Sequence, residues 1–99
     1  MENKKVLVTG GNRGIGKGIV EGFLNNGNEV LASCRDVSKF PLENDRLTVA
    51  ELDITDTRSV DNFKNTVESF GPEILVNNAG ITKDNIFLRM SDDEWLDVI

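Results

Sequence analysis

Between residues 9 and 16 the chain reads Thr-Gly-Gly-Asn-Arg-Gly-Ile-Gly, with Val6, Leu7, Val8 and Thr9 leading in and a helical pattern leading out. Gly10, Gly11, Gly14 and Gly16 therefore stand where a buried strand turns into a helix. Backbone N–H groups at a helix N-terminus lack partners and lie at the positive end of the helix dipole. A pyrophosphate can settle there if no Cβ blocks its approach. The spacing, Gly10, three residues, then Gly14-x-Gly16, differs from the common dinucleotide pattern G-x-G-x-x-G. Arg13 adds a cation within the turn.

The rest of the chain alternates between strand and helix signals. Lys5 to Thr9 is apolar without alternation, as expected of a central parallel strand covered on both faces. A first helix is expected from about Gly14 to Asn26, with Ile15, Ile19, Val20, Phe23 and Leu24 on one stripe and Gly27 as its stop. Gly18 and Gly22 inside it each cost about 1 kcal/mol relative to alanine, and are expected to let the helix lie close on the sheet. Glu29 to Cys34 is the second strand, and Asp36 to Arg46 reads as a loop where many dinucleotide folds place a full helix. Leu47 to Leu52 is the third strand, closed by Asp53-Ile54-Thr55. Asp56 can cap a helix carrying Val60, Phe63, Val67 and Phe70, which Gly71-Pro72 ends. Glu73 to Asn77 forms strand four and enters Asn77-Asn78-Ala79-Gly80. After a loop containing Ile86, Phe87, Leu88 and Met90, Ser91 and Glu94 have capping-box spacing and Met90 can pack on Trp95. The sequence thus predicts a helix from Ser91 that is still running at Ile99.

Composition narrows the function classes. The chain's 99 residues suit one domain, and 38% hydrophobic with 28% charged residues is ordinary for a globular protein. No apolar run approaches the ~20 residues of a membrane span, and no signal-peptide pattern precedes the first strand, so a cytoplasmic protein without membrane partners is expected. Cys34 is the single cysteine and histidine does not occur, which leaves no internal disulfide and no metal-ligand cluster in prospect. A net charge of −6 argues against a nucleic-acid surface.

The threonine before the first glycine, the closing Gly-Ile-Gly, the Asp53-Ile54-Thr55 element and Asn77-Asn78-Ala79-Gly80 together resemble the short-chain dehydrogenase/reductase family. The resemblance covers the whole chain and implies an α/β, Rossmann-type doubly wound parallel sheet, of which this is the N-terminal half. The implied strand order is 3-2-1-4, truncated in the helix after strand four. Residues 1–99 would be the NADP-binding portion of one domain whose catalytic half is not included.

Ligand is expected at the carboxyl edge between strands one and four. The glycine turn, Gly10, Gly11, Asn12, Gly14, Ile15 and Gly16, is expected on the pyrophosphate with Arg13 as a cation within it, and the resemblance places Asp53 and Ile54 at the adenine and Asn77, Asn78, Ala79 and Gly80 at the ribose. Arg35 stands about 20 residues beyond the glycines, where NAD-binding folds carry a carboxylate. A guanidinium there holds a 2′-phosphate, and Cys34 takes the acidic position. Arg13 and Arg35 favour NADP; Asp36 weighs the other way.

The family's acid/base machinery is a Tyr-x-x-x-Lys pair with a serine and an asparagine, and this chain has no tyrosine. No catalytic residue is carried over, and the chain alone is expected to be inactive. Within the family, the segments around Leu88-Arg89-Met90 and Glu94-Trp95 are similar to the branch that reduces 3-oxoacyl thioesters on acyl carrier protein during fatty-acid synthesis. That branch implies NADPH as hydride donor, acyl carrier protein thioester as substrate and a homotetramer. Another short-chain reductase of a ketone or CoA thioester, or a non-catalytic nucleotide-binding module, are the alternatives.

Overall fold

The structure is a computed structural model that describes residues 3–10, 14–77, 86–89 and 95–98, and side chains within 3–10 and 16–76. Its elements are β1 (Lys5–Thr9), α1 (Gly14–Asn25), β2 (Glu29–Cys34), β3 (Leu47–Glu51), α2 (Thr57–Phe70), β4 (Ile74–Asn77), β5 (Ile86–Arg89) and β6 (Trp95–Val98). One 3-10 turn, Val37–Lys39, interrupts the β2–β3 connection, which otherwise carries no helix.

The main sheet is parallel with order β3-β2-β1-β4, as the resemblance implies. Alternation along its buried strands sends side chains to two separate cores. Leu7 and Leu31 meet Phe63 and Val67 of α2 on one face, whereas Val6, Val8, Val30 and Ala32 meet Val20 and Leu24 of α1 on the other. This is why β1 and β2 are apolar at successive positions: each strand supplies both layers.

The second helix is stopped at both ends by local chemistry. The Asp56 carboxylate accepts the Arg58 and Ser59 N–H groups, and Gly71 takes a left-handed conformation, φ 67°, while its N–H donates to Val67. α1 ends on Gly27 at φ 83°, whose N–H bonds the Leu24 carbonyl at 3.0 Å. Among the described residues no helix is long and apolar enough to cross a membrane.

Three expectations are corrected, the simplest being that Ile86, Phe87 and Leu88, expected in a loop, belong to strand β5. Gly18 and Gly22 lie on the exposed side of α1, and a Cβ built at either meets no atom within 4 Å; they do not mediate close packing on the sheet. The predicted helix from Ser91 is not formed over Trp95–Val98, which pairs antiparallel with Ile86–Arg89 in register Arg89↔Trp95 to Ile86↔Val98. The capping residues Ser91 and Glu94 lie outside the described residues. A short helix makes few hydrogen bonds to offset its nucleation, while strand pairing satisfies the backbone of two apolar, partly alternating segments together.

Candidate functional site

The carboxyl ends of β1 and β4 lie side by side, with Thr9 opposite Asn77. β1 neighbours β2 on its other flank, so the direction of strand addition reverses at β1, and ligands of open α/β sheets bind at such a reversal. Gly10 leaves β1 with φ 67°, a conformation that suits glycine. Its N–H donates to the Ser33 hydroxyl at 3.1 Å. α1 then begins at Gly14, and Gly16 is buried within its first turn.

β2 delivers the second group of residues. Cys34 is buried, its carbonyl accepting the Leu52 N–H at 2.8 Å, and burial pushes the thiol pKa up. It offers no carboxylate to a ribose. Arg35, just beyond the strand, is 81% exposed, and its Nη2 lies 3.9 Å from Asp53 Oδ2. Arg35 and Asp53 are 18 residues apart in sequence, and the parallel β2–β3 pairing, which ends at Cys34↔Glu51, brings them together.

Asp53 is held by its own turn. Its Oδ1 accepts the Thr55 hydroxyl at 2.6 Å and the Thr55 N–H at 3.0 Å, and its N–H donates to the Ser59 hydroxyl at 2.9 Å. The Thr55 hydroxyl is the main reason its pKa falls below the ordinary aspartate value; the Thr55 N–H and the Arg35 charge act the same way. Asp36 has a matching turn, with Ser38 donating its hydroxyl at 2.6 Å and its N–H at 3.1 Å, and Lys39 Nζ 3.9 Å away. The Ser38 hydroxyl chiefly lowers its pKa. The Asp36 carboxylate is thus engaged by Ser38 and Lys39, and the ion pair of Arg35 is with Asp53.

Ile54 turns its side chain onto the Leu7–Phe63 core, which leaves its backbone for any surface role. Asn77 is placed by its backbone at the end of β4. Of the expected site residues, Gly11, Asn12, Arg13, Asn78, Ala79 and Gly80 lie outside the described residues. Two residues escaped the sequence reading: Ser33, bonded to Gly10, and Ser59, bonded to Asp53, both buried. The only signal for Ser33 was a hydroxyl inside an apolar run.

A family model described as short chain dehydrogenase matches residues 4–99. The chain is 39% identical over 107 aligned residues to the 3-oxoacyl-acyl-carrier-protein reductase of Vibrio harveyi, covering 100% of this chain and 43% of that protein. Among solved structures it resembles a short chain dehydrogenase from Burkholderia cenocepacia in complex with NADP, with a TM-score of 0.71 and 30% identity over 83% of this chain and 34% of that one. It also resembles a short chain dehydrogenase from Leptospira borgpetersenii with bound NAD+, with a TM-score of 0.69 and 28% identity over 93% of this chain and 36% of that one.

Proposed function

This chain belongs to the short chain dehydrogenase family, and from that premise we propose that it is the NADP-binding part of an NADPH-dependent reductase of 3-oxoacyl thioesters. One observation carries the reading. The Gly10 turn, the Arg35–Asp53 pair and the end of β4 all open on one sheet edge, at the point where strand order reverses.

The described residues fit a dinucleotide phosphate. Gly10 supplies the positive φ that the turn needs, and the N-terminus of α1 supplies backbone N–H groups and the positive end of its dipole. Arg35 is exposed enough to swing its guanidinium onto a 2′-phosphate, and Asp53 with the Ile54 backbone lines the adenine. Asn77 ends β4 at this edge, and the resemblance assigns Asn77, Asn78, Ala79 and Gly80 to the ribose. The bound coenzyme supplies hydride. The chain's own residues grip the phosphates, select the coenzyme and orient it.

Similarity to the Vibrio harveyi 3-oxoacyl-acyl-carrier-protein reductase supports a 3-oxoacyl thioester as substrate and acyl carrier protein as its carrier. The chain spans 43% of that relative's length and holds no tyrosine. We expect these 99 residues alone to reduce no ketone.

A second reading, NAD in place of NADP, is favoured by the Asp53 carboxylate beside Arg35 and by the Leptospira neighbour. Calorimetric titration with each coenzyme decides between them. NADP is expected to bind more tightly, and Arg35→Asp to weaken it by about 1 kcal/mol or more, as a lost charge-assisted bond does. Tighter binding of NAD than of NADP by the unaltered chain would establish the second reading; an unchanged NADP affinity in the variant would show that Arg35 stays in solvent.

A further inference from the structure

We propose that Ser33 is a positioning residue for the phosphate-binding turn, its hydroxyl fixing the first residue of that turn against β2. The proposal rests on the NADP reading above. Ser33 follows Leu31 on the same face of β2 and is 3% exposed, on a face otherwise packed with Leu7, Phe63 and Val67. A hydroxyl there costs free energy unless it is hydrogen-bonded. Its bond, 3.1 Å from Gly10 N, spans 23 residues of sequence.

The consequence is geometric. Gly10 departs from strand conformation at φ 67°, so the path of the glycine segment is set by whatever holds that residue. Ser33 holds it from β2, two residues before Arg35. One strand end therefore fixes both the start of the pyrophosphate turn and the cation for the 2′-phosphate, and the bond sets the span between them. The hydroxyl is what matters: alanine would remove the acceptor, whereas threonine would keep it.

The test compares the unaltered chain with Ser33→Ala and Ser33→Thr by NMR, titrating NADP and, separately, adenosine 2′-monophosphate, which lacks the pyrophosphate. Ser33→Ala is expected to weaken NADP about tenfold, the size of one lost hydrogen bond, to leave adenosine 2′-monophosphate affinity unchanged and to speed hydrogen exchange at the Gly10 amide. Ser33→Thr should restore both NADP affinity and Gly10 protection. Unchanged NADP affinity in Ser33→Ala overturns the proposal, as does equal weakening of both ligands, which would mark a general structural role. Failure of the unaltered chain to bind NADP would instead overturn the NADP reading, while the Gly10 exchange rates would still report whether Ser33 holds the turn.

Discussion

Asn28 joins three elements through one side chain. Its Oδ1 accepts the Lys4 N–H at 3.0 Å ahead of β1, its Nδ2 donates to the Phe23 carbonyl of α1 at 3.1 Å, and it directly precedes β2, fully buried. Alanine would remove the acceptor of the partly buried Lys4 N–H, while the Phe23 carbonyl would keep the Asn28 backbone N–H at 3.1 Å, so Asn28→Ala should lose about 1–3 kcal/mol, read as a lowered urea midpoint. Asn28→Asp keeps the acceptor but sets a carboxylate against the Phe23 carbonyl. It should be less stable at neutral pH and recover when acid protonates it. Asp53 gives a second test at this scale. Its pKa is depressed in the folded chain, so its contribution is present above its unfolded pKa and is lost as pH falls through the lower, folded value. Thr55→Val should raise the Asp53 pKa toward the ordinary aspartate value in an NMR titration, and Arg35→Ala should raise it less, because the Thr55 hydroxyl outweighs the Arg35 charge.

The helices show what local pattern can and cannot reveal. The α2 stripe was legible because Phe63 and Val67 repeat at helical spacing, and its ends because Asp56 and Gly71 act on backbone groups within their own turn. Glycine inside α1 was not legible in the same way, since a missing side chain does not say which face it lies on. With Gly18 and Gly22 exposed and clear of other atoms, Gly18→Ala and Gly22→Ala should each stabilise the chain by about 0.5–1 kcal/mol by restricting the unfolded backbone. Gly71→Ala, also sterically open, should destabilise it by about 1 kcal/mol because φ 67° disfavours any Cβ. Urea midpoints for the three variants check both signs. The Ser91–Glu94 spacing misled because a capping signature reports only local hydrogen bonds, whereas Ile86–Arg89 offered Trp95–Val98 a strand partner. Ser33 and Asn28 were illegible for a related reason: each bonds a residue more than 20 positions away, and only the parallel pairing brings those partners into reach.

At the scale of the whole molecule, the two faces of the sheet support the site unequally. α1, on the Val6–Val8 core, begins at the sheet edge just after the glycine turn; α2, on the Leu7–Leu31 core, supports Asp53 through Ser59 and packs against Ile54, and that face of the sheet also carries Ser33, which holds Gly10. Damage to the second core should therefore reach the coenzyme site as well as global stability. A domain of this size is stable by about 5–15 kcal/mol, and Phe63, 1% exposed, is the largest fully buried side chain among the described residues. Phe63→Ala should cost about 3–5 kcal/mol, enough to lower the urea midpoint sharply. A ligand bound only by the folded state returns RT ln(1 + [L]/Kd), about 2.7 kcal/mol at a hundredfold excess over Kd. NADP at that excess over the variant's own Kd should therefore recover part of the lost midpoint, and because the second core supports the coenzyme site the concentration needed should be higher for Phe63→Ala than for the unaltered chain. Circular dichroism during urea titrations at a series of NADP concentrations measures both. If each NADP concentration raises the two midpoints equally, the second core does not support the coenzyme site.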